Sequence, residues 1–353
     1  MFLALNEIRH SKLRYALVIS VMFLISYLVL FLTGLSYGLA QKYQTSVNQW
    51  RADSILLSDE SNDSLMMSLI TSDTFDAIKA TQKAGLKQAP SVIVVNGIEK
   101  VNVSFFGVSS GEFLKPNVIE GTMFTNSNDT VVDSGLKKEY NLKLADSIRL
   151  SGTNKTLKIV GFSDNSSYAA SPVLYISPQT FSNLHLTTSR STQGTDYNAV
   201  VIKGKINQLP ENIGKLSISK FINKLPGYNA QVLTFSFMIG FLVVIAAAVI
   251  GIFIYVLTIQ KVSIFGILKA QGISSYYIAK SVISQTFILA FIGVFLGLVA
   301  TLGTSLILPI VVPFQVNLIF YASVSILLIL VAILGAIFSV KTVVSIDPLK
   351  AIS

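Results

Sequence analysis

The sequence predicts an α-helical membrane protein with four transmembrane helices and a large extracytoplasmic α+β domain inserted between the first and second. Three observations carry this. The 353 residues are 52% hydrophobic and only 13% charged, against about 25% charged in an ordinary soluble domain. The deficit is concentrated in four long apolar runs, Tyr15–Leu39, Leu233–Leu257, Ile283–Leu308 and Ile319–Val340, none with an acidic or basic residue in its interior. Between the first and second runs the composition becomes that of a folded domain, with strand-like segments separated by turn residues.

Each run exceeds the roughly 20 residues a helix needs to cross a hydrocarbon layer. The first is too long for the apolar core of a signal sequence, about 7–15 residues, and follows the amphipathic stretch "MFLALNEIRHSKLR". It is therefore read as an uncleaved span. The resulting segments are an N-terminal amphipathic helix (1–14), spans at 15–39, 233–257, 282–308 and 319–340, an external domain (40–232), a cytoplasmic loop (258–281), a short external loop (309–318) and a tail (341–353). Outside residues 41–230 the basic residues are Arg9, Lys12, Arg14, Lys261, Lys269, Lys280, Lys341 and Lys350. All fall before the first run, between the second and third, or after the fourth. The positive-inside rule puts those segments in the cytoplasm. The net charge of +9 then reflects orientation and attraction to anionic lipid, not nucleic-acid binding.

With no cysteine, the external domain is not a disulfide scaffold. Strand-like runs are "SILLS", "SVIVVNG", "KVNVSFFGV", "TVVDSG", "SIRLSG", "TLKIVGFS", "PVLYIS" and "YNAVVIKG", bounded by Gly, Asn, Asp and Ser. Helices are expected over "DSLMMSLITSDTFDAIKATQKA" and "LSISKFINKLP". Together they predict a mixed sheet with helices on one side, in one or two lobes. No catalytic constellation stands out. The two histidines, His10 and His185, fall in different segments, and neither HExxH nor G-x-S-x-G is present.

The loop "QKVSIFGILKAQGISSYYIAK" reads as a short amphipathic helix with Ile264, Phe265, Ile267 and Leu268 on one face and Lys261 and Lys269 flanking it. Gly272 suits a left-handed helix stop, and Ser274 or Ser275 suits the N-cap of the next helix. A membrane-surface hairpin and a handle for a cytoplasmic partner both fit this pattern.

This loop resembles the cytoplasmic segment of the FtsX/MacB-type ABC transporter permeases. The tail "SVKTVVSIDPLKAIS" is similar to the closing "DPLKALR" pattern of that family, although Ile352-Ser353 replaces the usual Leu-Arg. The order of spans matches, and "VIEGTMF…DTVVDSGLKKEYNLKLADSIRLSG…KTLKIVGFS…SPVLYIS" resembles the family's external core. The resemblance implies a homodimer with two copies of a separate ATPase subunit, since the chain has no G-x-x-x-x-G-K-[ST] phosphate cradle of its own. It also implies mechanotransmission, in which ATPase motion is passed through stiff helices to the external domains. Lys261, Phe265, Leu268, Lys269, Gly272, Asp347 and Pro348 are then the expected coupling residues. Gly293 and Gly297, with Ala332 and Ala336, are expected helix-packing positions.

Length and the lack of a fused ATPase are most similar to the HrtB-type heme exporters, which implies an HrtA-like ATPase partner, no intrinsic cofactor, heme or a similar amphiphile as substrate, and the plasma membrane of a Gram-positive cell. Without cysteine or a suitable histidine, an axial heme ligand has to be tyrosine or methionine. Tyr168, Tyr228 and Met238 are the candidates, with Tyr43 above the first span as a fourth. The alternative from another class is a signal transmitter whose external domain activates a cell-wall hydrolase, as FtsX does.

Overall fold

The computed structural model describes residues 12–186, 196–309 and 312–344. It divides into two compact units, Leu39–Val232 and the combination of Met1–Gly38 with Leu233–Ser353. The N-terminal residues 1–11, including Arg9 and His10, and the tail carrying Asp347, Pro348 and Lys350 lie outside the described residues.

Helix α1 (Lys12–Gln49) is 38 residues long and continues ten residues beyond the predicted span. The α+β unit follows: β1 (Ser54–Ser58), α2 (Ser72–Ala77), β2 (Lys79–Val95), β3 (Glu99–Gly107), β4 (Val118–Gly121), β5 (Asp129–Asp133), α3 (Ser134–Tyr140), β6 (Ser147–Leu150), β7 (Thr156–Ser163), β8 (Ser167–Tyr168), β9 (Ser171–Ile176), α4 (Pro178–Leu184), β10 (Ala199–Gln208), β11 (Ile213–Ser217) and α5 (Ile218–Lys224). The main strand order is β11-β1-β10-β2-β3-β9-β5-β7-β4, with β6 bridging β2 and β7 and β8 paired to β9. Only β3–β9 and β5–β7 are parallel.

Side chains alternate across the sheet, as the two-residue period of a strand requires. On β1, Ile55 and Leu57 join the large cluster around Trp50 and Phe221, while Leu56 joins the opposite one around Ile70 and Ile213. On β3 and β9, Phe106 and Tyr175 face the Trp50 cluster, whereas Phe105 and Leu174 face a third cluster with Phe162 and Ile176.

The two-lobe question is answered by β2. Its first half, Lys79 to Leu86, pairs with β10, and its second half, Lys87 to Val95, pairs with β3. The helix expected over residues 63–84 is corrected here: only Ser72–Ala77 is helical, capped by the Thr71 side chain, and β2 begins at Lys79. Alanine, lysine and glutamine favour helix locally, but pairing with β10 overrides that preference. The helix expected over 216–226 is present as α5.

The second unit holds the rest of the apolar helices: α6 (Tyr228–Ile259), the short α7 (Val262–Ala270), α8 (Ser275–Ile307) and α9 (Leu318–Val344). With α1, helices α6, α8 and α9 are long and apolar enough to cross a bilayer. Lipid offers no hydrophobic drive between helices, so close approach depends on small residues. A Cβ placed on Gly293 would sit 2.4 Å from Met22 Cβ, and one on Gly297 would sit 2.9 Å from the Tyr27 backbone nitrogen. Ser26 Oγ donates across this contact to the Gly293 carbonyl at 3.1 Å. The glycine face of α8 thus packs against α1 of the same chain. Ala332 and Ala336 are fully buried with Ala246 and Ile250, and a Cβ on Gly335 would lie 3.3 Å from Gly251 Cα, so this small-residue face of α9 meets α6.

Gly297→Val is expected to force α1 and α8 apart and cost about 1–3 kcal/mol. The measurement is thermal unfolding of the detergent-solubilised protein. A wild-type midpoint for this variant contradicts the packing described.

Candidate functional site

The elbow between α6 and α8 is built by sequence-local chemistry. Helix α7 ends in a Schellman stop: Gly272 adopts φ +87°, its N–H donates to the Lys269 carbonyl, and the Ile273 N–H donates to the Leu268 carbonyl, both at 3.0 Å. Leu268 and Ile273 share a small apolar pocket with Phe265, Tyr277 and Ile278, the hydrophobic contact that accompanies this motif. Ser274 then caps α8 by accepting from the Tyr277 N–H. The chain therefore turns at a fixed angle.

The single apolar face expected on α7 is divided in the structure. Phe265 is buried and Leu268 packs beside it, in the cluster that contains Tyr15 and Ile278. Ile264 and Ile267 are about half exposed, as is Tyr277 on the first turn of α8, where Tyr276 is exposed further still. A helix of nine residues has room for two stripes: the 265/268 stripe holds it to the bundle, and the 264/267 stripe faces out. Lys261 is not a loose flanking charge. Its Nζ donates to Tyr15 Oη at 2.6 Å and lies 5.3 Å from the centre of the same ring, tying the start of α7 to the first turn of α1.

Several hydroxyls in the apolar helices are satisfied within their own helix. Thr33, Thr258, Thr286 and Thr301 each donate to the carbonyl four residues earlier on their own helix. Such back-bonding satisfies a hydroxyl without lining a conduit. Beside α6 and α9 runs an apolar groove of about 720 Å³, floored by Ala247, Ala248 and Gly251, walled by Leu334 and Phe338, and bordered by Tyr255. Among the described residues no cluster of three His, Cys, Asp or Glu side chains is placed to hold a metal ion.

In the α+β unit, the end of α1 is clasped to the β7–β9 connection. Thr45 Oγ1 donates to the Ser167 carbonyl and accepts from its N–H, Ala169 N–H donates to the Tyr43 carbonyl, and Tyr175 Oη donates to Ser46 Oγ at 3.2 Å. The connection carries left-handed backbone at Asn165, Ala169 and Ala170, with φ between 48° and 64°, costly for alanine and retained because its surroundings hold it. Asp133 lies beneath, accepting from the Ser166 and Gly135 N–H groups. Burial pushes its carboxyl up to about 6, against those bonds and the nearby Lys42.

The four candidate heme ligands do not converge. Tyr168 is 5% exposed, with its ring edge-on to Phe106 at 5.2 Å, and burial raises its phenol well above the ordinary value. It packs here within the Trp50 cluster, whereas the sequence reading places it only after a strand of the external domain. Tyr43 and Tyr228 do meet, edge-to-face at 5.8 Å, both half-buried over the Trp50 cluster. Met238 follows Tyr228 by ten residues on α6, about 15 Å along the axis, so the two cannot ligate one iron together. Two signals were missed: the Tyr15–Lys261 tie, and the clasp residues Thr45 and Ser46, whose partners lie far away in sequence.

Residues 235–348 match the family model described as FtsX-like permease C-terminal. Over that stretch the chain is similar to the FtsX-like permeases. The chain is 29% identical over 354 residues to a Staphylococcus epidermidis protein provisionally named as the hemin transport system permease HrtB, covering 100% of this chain and 99% of that one. It is 23% identical to an uncharacterised ABC transporter permease of Mycobacterium tuberculosis, covering 99% of each. The periplasmic region of MacB from Actinobacillus actinomycetemcomitans aligns with 48% of this chain and 90% of its own at 12% identity, with a TM-score of 0.35, too low to assign anything by itself. Both of these full-length relatives are named as permeases.

Two outcomes follow from this geometry. Gly272→Pro removes the N–H that donates to Lys269 and demands φ near −65° where the chain needs +87°. It is expected to break the stop, reshape the elbow and lower the thermal midpoint of the detergent-solubilised protein, whereas a wild-type midpoint for this variant contradicts the turn described. A carboxyl whose folded value is raised contributes stability that is complete below its ordinary value and is lost as pH rises through about 6. Unfolding of the α+β unit, followed by the fluorescence of Trp50, the chain's one tryptophan, is thus expected at a lower midpoint at about pH 7.5 than at about pH 4. Asp133→Asn flattens the dependence, and an identical pH profile for that variant rules Asp133 out as its source.

Proposed function

We propose that this chain is the permease subunit of an ABC exporter for hemin or a similar amphiphile, driven by a separate ATPase. The observation that carries the substrate class is the full-length likeness to a protein named for hemin transport, which spans the helices and the inserted domain alike. The basic residues at the ends of the apolar helices support an orientation with both termini and α7 in the cytoplasm and the α+β domain outside. In that orientation the outward stripe of Ile264 and Ile267, with Lys269 and Tyr276, is the surface offered to the ATPase, two copies of which serve a permease homodimer. Lys261, Phe265 and Leu268 hold α7 to the bundle, so a push on α7 is delivered to α1 and α8 as rigid-body motion.

Locally bonded hydroxyls and uncharged helix interiors favour mechanical transmission over a hydrated channel. An amphiphile then enters sideways, from lipid. The groove beside α6 and α9 is of a size typical for small-molecule sites, about 300–1,000 Å³, and opens where lipid lies. Tyr43 and Tyr228 are the remaining phenol ligands for a ferric porphyrin, one of which has to turn away from the other to reach it. Met238 is an alternative on α6 at a different depth.

The test is growth in hemin of cells with and without the gene and its ATPase, together with hemin-stimulated ATP hydrolysis by the purified complex. Tyr228→Phe keeps the ring that packs on Tyr43 and removes the phenol oxygen, so it is expected to weaken the hemin response and leave basal hydrolysis and thermal stability unchanged. An unaltered hemin dose–response excludes Tyr228 as a ligand. Unchanged hemin sensitivity on deletion, with defective cell separation, transfers the reading to a signal transmitter.

A further inference from the structure

Four polar residues near the end of α1, Lys42, Thr45, Ser46 and Gln49, are spaced three and four apart and so share one face of the helix. All lie within the compact unit Leu39–Val232. That face meets the β7–β9 connection of the same unit. Gln49 Nε2 donates to the Asp164 and Asn165 carbonyls, Thr45 Oγ1 bonds both backbone groups of Ser167, and Ser46 Oγ accepts from Tyr175 Oη. The last turns of α1 are therefore gripped largely through the backbone of one connection, and what lies under that connection decides how firmly.

Under it lies a carboxylate without a counter-ion. Asp133 is 8% exposed and accepts from the Ser166 N–H at 3.1 Å and the Gly135 N–H at 2.9 Å. The ion pairs among the described residues, Lys137 with Glu120 and Lys224 with Asp63, leave it out. Beside it Ser163 and Ser166 are fully buried and share a hydrogen bond at 2.7 Å. The charged groups that face it are Lys42 from α1, which attracts, and Asp164 from the connection, which repels. Tyr175 from β9 stays neutral, its phenol pushed up to about 12 by burial. A carboxyl so enclosed is costlier ionised than neutral, and its folded value of about 6 reflects that cost. When the connection lifts, Ser166 leaves and water reaches Asp133, which returns to an ordinary carboxylate. The closed arrangement thus holds a proton that the open one releases, and acid favours closure.

We propose that the junction of α1 with the β7–β9 connection is a proton-operated latch, closed while Asp133 is neutral and readily opened once it is ionised. Ser166 is the moving contact: its N–H rests on Asp133, while the next residue, Ser167, holds Thr45. The latch is a local opening that precedes unfolding of the unit as a whole. It depends neither on hemin being the substrate nor on which side of the membrane the domain faces.

Hydrogen exchange of the full-length protein in detergent, read by mass spectrometry and divided by the intrinsic chemical rate at each pH, tests this. Peptides covering 164–170 are compared with the β2–β3 turn at 95–99, which lies outside the latch, and with β1 and β10, which pair with each other in the sheet. Corrected exchange over 164–170 is expected to rise roughly tenfold between about pH 4.5 and pH 7, to exceed that of β1 and β10 throughout, and to leave the turn unchanged. Asp133→Asn, which cannot ionise, is expected to abolish the rise. Lys42→Met leaves the buried groups in place, removes the attracting charge, and is expected to move the rise to higher pH. A flat profile over 164–170 in the wild-type protein overturns the proposal, as does a rise that survives Asp133→Asn or stays at the same pH in Lys42→Met. Exchange over 164–170 no faster than in β1 and β10 overturns it as well, because the connection then opens only when the whole unit unfolds.

Discussion

Within the helical unit, α1 packs closely against α8 and α9 because at each contact one of the two partners has no side chain where they touch. Gly293 and Gly297 let the α8 backbone reach Met22 and Tyr27. Gly34 and Gly38 of α1 in turn admit Tyr321 of α9 and the backbone at Pro313, close enough for Gln315 N–H to donate to the Gly34 carbonyl. In hydrocarbon such contacts are held by dispersion and by hydrogen bonds such as Ser26 to Gly293, both of which fall away steeply with distance. At its first turns α1 holds the elbow through Tyr15 and Lys261, and at its last turns it holds the β7–β9 connection through Thr45 and Ser46.

That distribution suits a part that transmits displacement. The elbow is closed by backbone bonds with little rotational freedom, and the clasp holds two left-handed alanines, Ala169 and Ala170, that no local preference favours. Between them the helix has no proline and no charged residue from Tyr15 to Gln41, so nothing in that stretch breaks the backbone ladder.

Much of this was legible in the sequence because the relevant signals are local. Runs of uncharged residues give the four long helices, the Gly272–Ser274 punctuation gives the elbow, and eight strand-like segments give most of the sheet. The misreadings arose where partners distant in sequence decide. Lys79 to Ala84 reads as helix until β10 is present to pair with it, and the burial of Tyr168 against Phe106 is set by a partner 62 residues away. The division of α7 into inward and outward stripes depends on Tyr15 and Ile278, neither of which its own nine residues reveal. The glycines of α8 were recognisable as a contact face, but only the fold says that the contact is with α1.

Strand β2 has a mechanical consequence. Because one continuous strand of 17 residues serves β10 along one half and β3 along the other, tension between the two halves of the sheet runs parallel to the strand. Hydrogen bonds loaded that way resist together, like a lap joint, whereas bonds at a frayed edge give way in turn. The two halves of the sheet are thus harder to part along that strand than across it.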